Sequence, residues 1–163
     1  VARSFVGSVL LVGMLLVGLT GCDAQRTGTG ASGLGEPQVS ADATKRQMVE
    51  AVNDATERLD GKWKARTGPD YAEDCALADG EAGAQWRYLT GSTTTGEPDA
   101  DATAMAAHWE AQGMQVVRRD SSDGPAVFAD GGRNVSSISV YAYAGNYTVQ
   151  AVSLCFPGDA DEL

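Results

Sequence analysis

The chain has 163 residues, a net charge of −10 and an ordinary apolar share of 43%, which allows one modest domain and excludes global disorder. Its 12 Lys and Arg face 22 Asp and Glu, so it lacks the basic footprint that nucleic acid or a broadly anionic membrane surface would need. The acidic balance fits a well-solvated surface, with steering of a cationic partner as the sharper alternative.

Arg3 is the only charge before an apolar run from Phe5 to Leu19, the pattern of a short positive segment followed by a signal-peptide core. A permanent span needs about 20 apolar residues, and this run is shorter and carries Gly7, Gly13 and Gly18. Leu19-Thr20-Gly21-Cys22 resembles the lipobox of bacterial lipoproteins. The resemblance implies a diacylglycerol on the Cys22 thiol and cleavage between Gly21 and Cys22. Two acyl chains anchor firmly where one binds only marginally. The alternatives are an ordinary secretory signal with a chance cysteine and an uncut N-terminal anchor.

The expected organisation is therefore a signal peptide over 1–21 and a lipidated tether over 22–41. The domain follows over 42–158, with an acidic tail over 159–163. The tether is rich in Gly, Ala, Ser and Thr and has no apolar period, as a flexible coil does. The implied address is the extracytoplasmic side of a cell membrane, reached through lipid on Cys22.

Residues 42–60 read as a helix, because Met48, Val49, Val52, Ala55 and Leu59 recur at three- and four-residue steps and Gly61 offers a stop. Trp63 begins a short extended piece, and 75–84 is acidic and irregular. Residues 85–90 alternate as a strand, with Trp86 and Tyr88 on one side. A second helix is expected over 101–112, with Asp99 and Asp101 as capping oxygens, Ala102, Met105, Ala106 and Trp109 as its stripe, and Gly113 at its end. Four strands follow over 114–120, 126–129, 134–143 and 147–156, and each junction pairs Gly with Asp or Asn, which suits tight hairpins. The fold class is α+β, with two amphipathic helices on one face of an antiparallel sheet ending in a four-stranded meander.

With Cys22 lipidated, Cys75 and Cys155 remain, and an even remainder in an exported protein reads as one disulfide. Closing a loop of that length stabilises the fold by roughly 4 kcal/mol in the chain-entropy model. A single His and two distant Cys make a poor zinc set, so no metal and no cofactor are expected.

The element order resembles the LppA-type lipoproteins of mycobacteria and related actinobacteria. The run His108-Trp109-Glu110-Ala111-Gln112-Gly113-Met114-Gln115-Val116 and the last strand around Leu154-Cys155-Phe156 carry that resemblance. It covers most of 42–156 and implies a cell-envelope lipoprotein, without implying an activity.

No catalytic residue is assigned. His108 is the only histidine and has no nucleophile elbow near it. The pairs Glu73-Asp74, Asp79-Glu81 and Asp99-Asp101 could support carboxylate chemistry on an envelope polymer, but an acidic chain produces such pairs by chance. Lys62, Lys64 and Arg66 form a small basic run that either meets anionic groups or completes the end of the first helix. In 134–143, Ile138, Val140 and Ala142 share one face while Ser139, Tyr141 and Tyr143 share the other. Tyr141 and Tyr143 are the candidate binding surface, for an envelope protein, glycan or lipid. Burial of both rings by Trp63 or Trp86 is the plainer alternative. The sequence thus points to a non-enzymatic binding or accessory module, with a carboxylate hydrolase as the competing reading.

Overall fold

The computed structural model describes residues 39–163. The expected signal peptide, Cys22 and nearly all of the tether lie outside the described residues. Among the described residues, no helix is long and apolar enough to cross a membrane.

The first helix, α1 (Ala41–Glu57), begins where Ser40 accepts a hydrogen bond from the Ala43 amide at 3.3 Å, as an N-cap serine does. Thr44, Met48, Val52 and Ala55 form its buried stripe; Val49 is only half-buried. Two long strands follow, β1 (Lys64–Ala76) and β2 (Ala82–Ser92). The second helix, α2 (Pro98–Ala111), is followed by β3 (Gln115–Ser121), β4 (Gly124–Asp130), β5 (Val135–Tyr141) and β6 (Tyr147–Ser153).

All pairings are antiparallel and the strand order is β1-β2-β6-β5-β4-β3. The last four strands form the expected meander, and it ends by inserting β6 between β2 and β5. That central position explains the complete burial of Tyr147, Val149 and Ala151. Both helices cover one face of the sheet: α1 lies over β2, β6 and β5, and α2 over β4, β3 and β5.

Trp86 fixes α1 to the sheet. Its indole nitrogen donates to the Ala41 carbonyl at 2.9 Å, and the Lys45 ammonium sits 3.7 Å from its ring centre. At the end of α2, Gly113 takes φ +82°. The Gly113 amide bonds to the Glu110 carbonyl and the Met114 amide to the Trp109 carbonyl, which closes the helix in a Schellman motif.

The structure corrects three local expectations. The short piece after Trp63 is a strand of 13 residues, and the supposedly irregular 75–84 contains the end of β1, a turn and the start of β2. As an edge strand, β1 needs no apolar alternation, and it tolerates Pro69 because that residue lies in a register shift between Thr67 and Tyr71, outside the regular ladder. The cap of α2 is Glu97, whose side chain makes no capping bond. Asp101 instead reaches back to accept from the Glu97 amide at 3.0 Å. Finally, the segment expected as an acidic tail contains a 3-10 turn, Ala160–Glu162, with Ala160 packed against the core.

Cys75 and Cys155 form a disulfide across 80 residues, with Cα atoms 6.1 Å apart. It joins the end of β1 to the segment after β6 and passes beside Gly83 of β2. A Cβ at Gly83 would lie 2.9 Å from Cys155 Sγ and 2.7 Å from the Phe156 carbonyl oxygen.

Candidate binding surfaces

Strand alternation sorts the sheet into a helix-covered face and an open one. Tyr141 of β5 opposes Ala126 and Thr148, and Ser139 opposes Phe128 and Gln150. Val117 of β3 opposes Phe128. These residues share the open face, because Val140 and Ile138 point the other way into the core.

On that face the rings of Phe128, Tyr141 and Tyr143 follow one another edge to face, at 5.5 and 5.6 Å between centres. The Arg119 guanidinium lies 5.1 Å over Phe128, and Val117 is 51% exposed. Ser139 and Gln150 supply polar atoms to a shallow hollow of about 280 Å³ bounded by Val117, Phe128 and Tyr141. Tyr141 and Tyr143 are half-buried. Trp86 and Trp63 belong to the helix-side core, so the tyrosines are flanked by Phe128 and by each other. Sequence reasoning missed Val117, Arg119 and Phe128. The signal that could have found Phe128 was the period-two alternation of its own short strand.

The opposite face carries a polar contact between the helices. His108 Nε2 of α2 donates to Asp54 Oδ2 of α1 at 2.5 Å, and Arg58 donates to Asp54 Oδ1 at 3.1 Å. Gln112 Nε2 donates to the same Asp54 Oδ2 at 3.5 Å. Burial raises the Asp54 carboxyl, but the hydrogen bonds and charges of His108 and Arg58 outweigh it and hold the pKa below the ordinary 3.8. Hollows lie on either side of this contact. One side is a hollow of about 470 Å³ reaching the turn between β4 and β5, and the other is a smaller one of about 330 Å³ beside Met105.

Several of the remaining sequence candidates are held in structural bonds, while Asp74 is exposed. Glu73 pairs with Arg87 at 2.7 Å and Asp99 with Arg118 at 2.5 Å. Asp79 accepts from the Glu81 amide at 3.1 Å. Asp101 accepts from the Tyr147 hydroxyl at 2.8 Å. From the basic run, Arg66 donates to Asn146 at 2.8 Å, while Lys62 and Lys64 are exposed. Among the described residues, His108 hydrogen-bonds no hydroxyl or thiol, and no three His, Cys, Asp or Glu side chains gather as a metal set.

No family model matches the chain, and no curated protein matches it. Among solved structures it is similar to a DUF4853 family protein from Actinomyces odontolyticus ATCC 17982, with 15% identity over 74% of this chain and 67% of that one and a TM-score of 0.45.

Proposed function

We propose that the chain is an extracytoplasmic lipoprotein, anchored in the cell membrane through Cys22, whose domain binds an envelope protein, glycan or lipid on its open sheet face. The observation that carries this reading is the file of Phe128, Tyr141 and Tyr143 beside exposed Val117 on a face that no helix covers. Aromatic rings with polar tips give large contact area at low entropic cost, which is why they anchor binding surfaces. The lipobox at Leu19-Thr20-Gly21-Cys22 supports the address, and a disulfide fits an oxidising compartment. The module acts by holding a partner near the membrane, without chemistry of its own.

The test uses the full chain extracted from its own membrane in mild detergent. A mass beginning at Cys22, increased by acyl chains and reduced by two hydrogens, is expected. Envelope components that co-purify with the wild type should be lost from the Tyr141→Ser/Tyr143→Ser double variant and from Val117→Glu, with both variants still folded by circular dichroism. Retention of the same components by both folded variants would remove this face as the binding surface. A mass that still includes residues 1–21 would remove the lipid anchor.

A further inference from the structure

The larger hollow on the helix side has the chemistry of a binding site separate from the open sheet face. Its volume of about 470 Å³ falls within the range of small-molecule pockets, about 300–1,000 Å³, and towards its lower end. Its floor is apolar, built from Trp109, Met114 and Ile138, all of them buried in the core. Its lining also carries two opposite charges from different elements. Glu50 comes from α1, and Arg133 from the turn between β4 and β5.

The pairing state of those charges decides what the hollow can take. Asp54, one turn beyond Glu50, is committed to Arg58 and His108. Glu50 and Arg133 are both exposed, and neither makes an ion pair among the described residues. Gln112 and Asn134 add carboxamides to the same lining, and each offers both donors and an acceptor. A single exposed ion pair contributes little, so a solute held here must engage both charges and the floor together.

We infer that this hollow binds a small zwitterion of the amino-acid type, its carboxylate on Arg133, its ammonium on Glu50 and an apolar side chain over Trp109 and Met114. A guanidinium matches a carboxylate with two parallel hydrogen bonds, while a carboxylate accepts from an ammonium at any of its lone pairs. The polar tie from His108 and Gln112 to Asp54 steadies the wall between the helices, and steadied walls are what keep a small site in register. Gly132 keeps the floor open. A Cβ there would lie 2.9 Å from the Met114 methyl, so a larger side chain would fill the space.

The test is a titration of the isotope-labelled full chain in mild detergent with leucine, methionine and phenylalanine, followed by amide chemical shifts. Leucine or one of the other two should shift amides at Gln112, Met114 and Asn134. For whichever amino acid binds, the amide, which lacks the carboxylate, and the N-acetyl derivative, which lacks the ammonium, should each bind about tenfold more weakly. Arg133→Gln should erase the difference between acid and amide, and Glu50→Gln the difference between free and acetylated amine. Both side chains are exposed, so neither change threatens the fold. Gly132→Val should abolish the shifts while the flexible Met114 end gives way. Three outcomes would overturn the inference: no shifts with any of the three amino acids up to tens of millimolar, shifts confined to the open sheet face, or equal binding of the acid, amide and acetyl forms.

Discussion

The hydroxyl of the fully buried Tyr147 donates to Asp101 Oδ2 at 2.8 Å, tying the start of the central strand β6 to the first turn of α2. The same carboxylate oxygen accepts from the Glu97 amide, so one side chain closes the helix and holds it to the sheet. Burial, the hydrogen bond to Asp101 and the charges of Asp101 and Glu97 all raise the Tyr147 phenol far above its ordinary 10.0. A raised folded-state pKa contributes stability that is complete below the unfolded value and is lost as pH rises towards the folded one. Urea midpoints should therefore fall as pH climbs above about 10. Tyr147→Phe should lose about 1–3 kcal/mol at neutral pH and show a flatter alkaline limb. An alkaline slope identical in wild type and variant would show that another group is responsible.

Ser153, buried at the end of β6, accepts from the Trp86 amide at 2.9 Å and donates to the Leu154 carbonyl at 2.9 Å. Ser153→Ala leaves a buried backbone amide without a partner, at a cost of about 1–3 kcal/mol. Ser137→Ala, on the half-exposed open face, should stay within about 0.5 kcal/mol of wild type. Equal urea midpoints for the two variants would contradict the assignment of the Ser153 bond.

Replacing Cys75 and Cys155 by serine removes a crosslink across 80 residues and should cost about 4 kcal/mol through freedom regained by the unfolded chain. Gly83→Ala should cost a further 1–3 kcal/mol or about that, by overpacking. Its new methyl would press on the Phe156 carbonyl as well as on the sulfur. The glycine substitution should therefore remain destabilising in the serine background. A Gly83→Ala protein as stable as its parent in both backgrounds would show that the strands can move apart.

Asp54 sits below its ordinary pKa: burial opposes that shift, and the His108 and Arg58 contacts win. A lowered carboxyl contributes stability present above its unfolded value of 3.8 and lost as pH falls through the folded one. The Asp54 side chain is 41% exposed, so screening limits the effect to at most about 1 kcal/mol. Asp54→Asn should lower the thermal midpoint slightly at neutral pH and flatten the dependence below pH 3.8. A variant with an unchanged acid limb would place acid sensitivity elsewhere.

Much of the architecture was legible in the residues. The stripe through Met48, Val52 and Ala55 specified α1, which starts one residue before the expected 42 and stops three before the expected 60. The Gly-Asp and Gly-Asn junctions marked the hairpins of the meander. The cysteine count named the pair that bonds. Tyr141 and Tyr143 could be assigned to the face away from Val140 because side chains alternate strictly along a strand. The largest miss was β1, expected as a short extended piece after Trp63 and an irregular stretch from 75, because an edge strand takes its identity from the neighbour it pairs with, and pairing leaves no period in its own sequence.

Local sequence determined the two helices, the strands of the meander and which side of each is apolar, because these depend on residues a few positions apart. Tertiary structure alone decided that β6 lies between β2 and β5, that His108 meets Asp54 across 54 positions, and that Glu50 and Arg133 line one hollow. Those juxtapositions are set by how two helices share one face of a twisted sheet, and a contact between distant residues leaves no periodic trace in the chain that makes it.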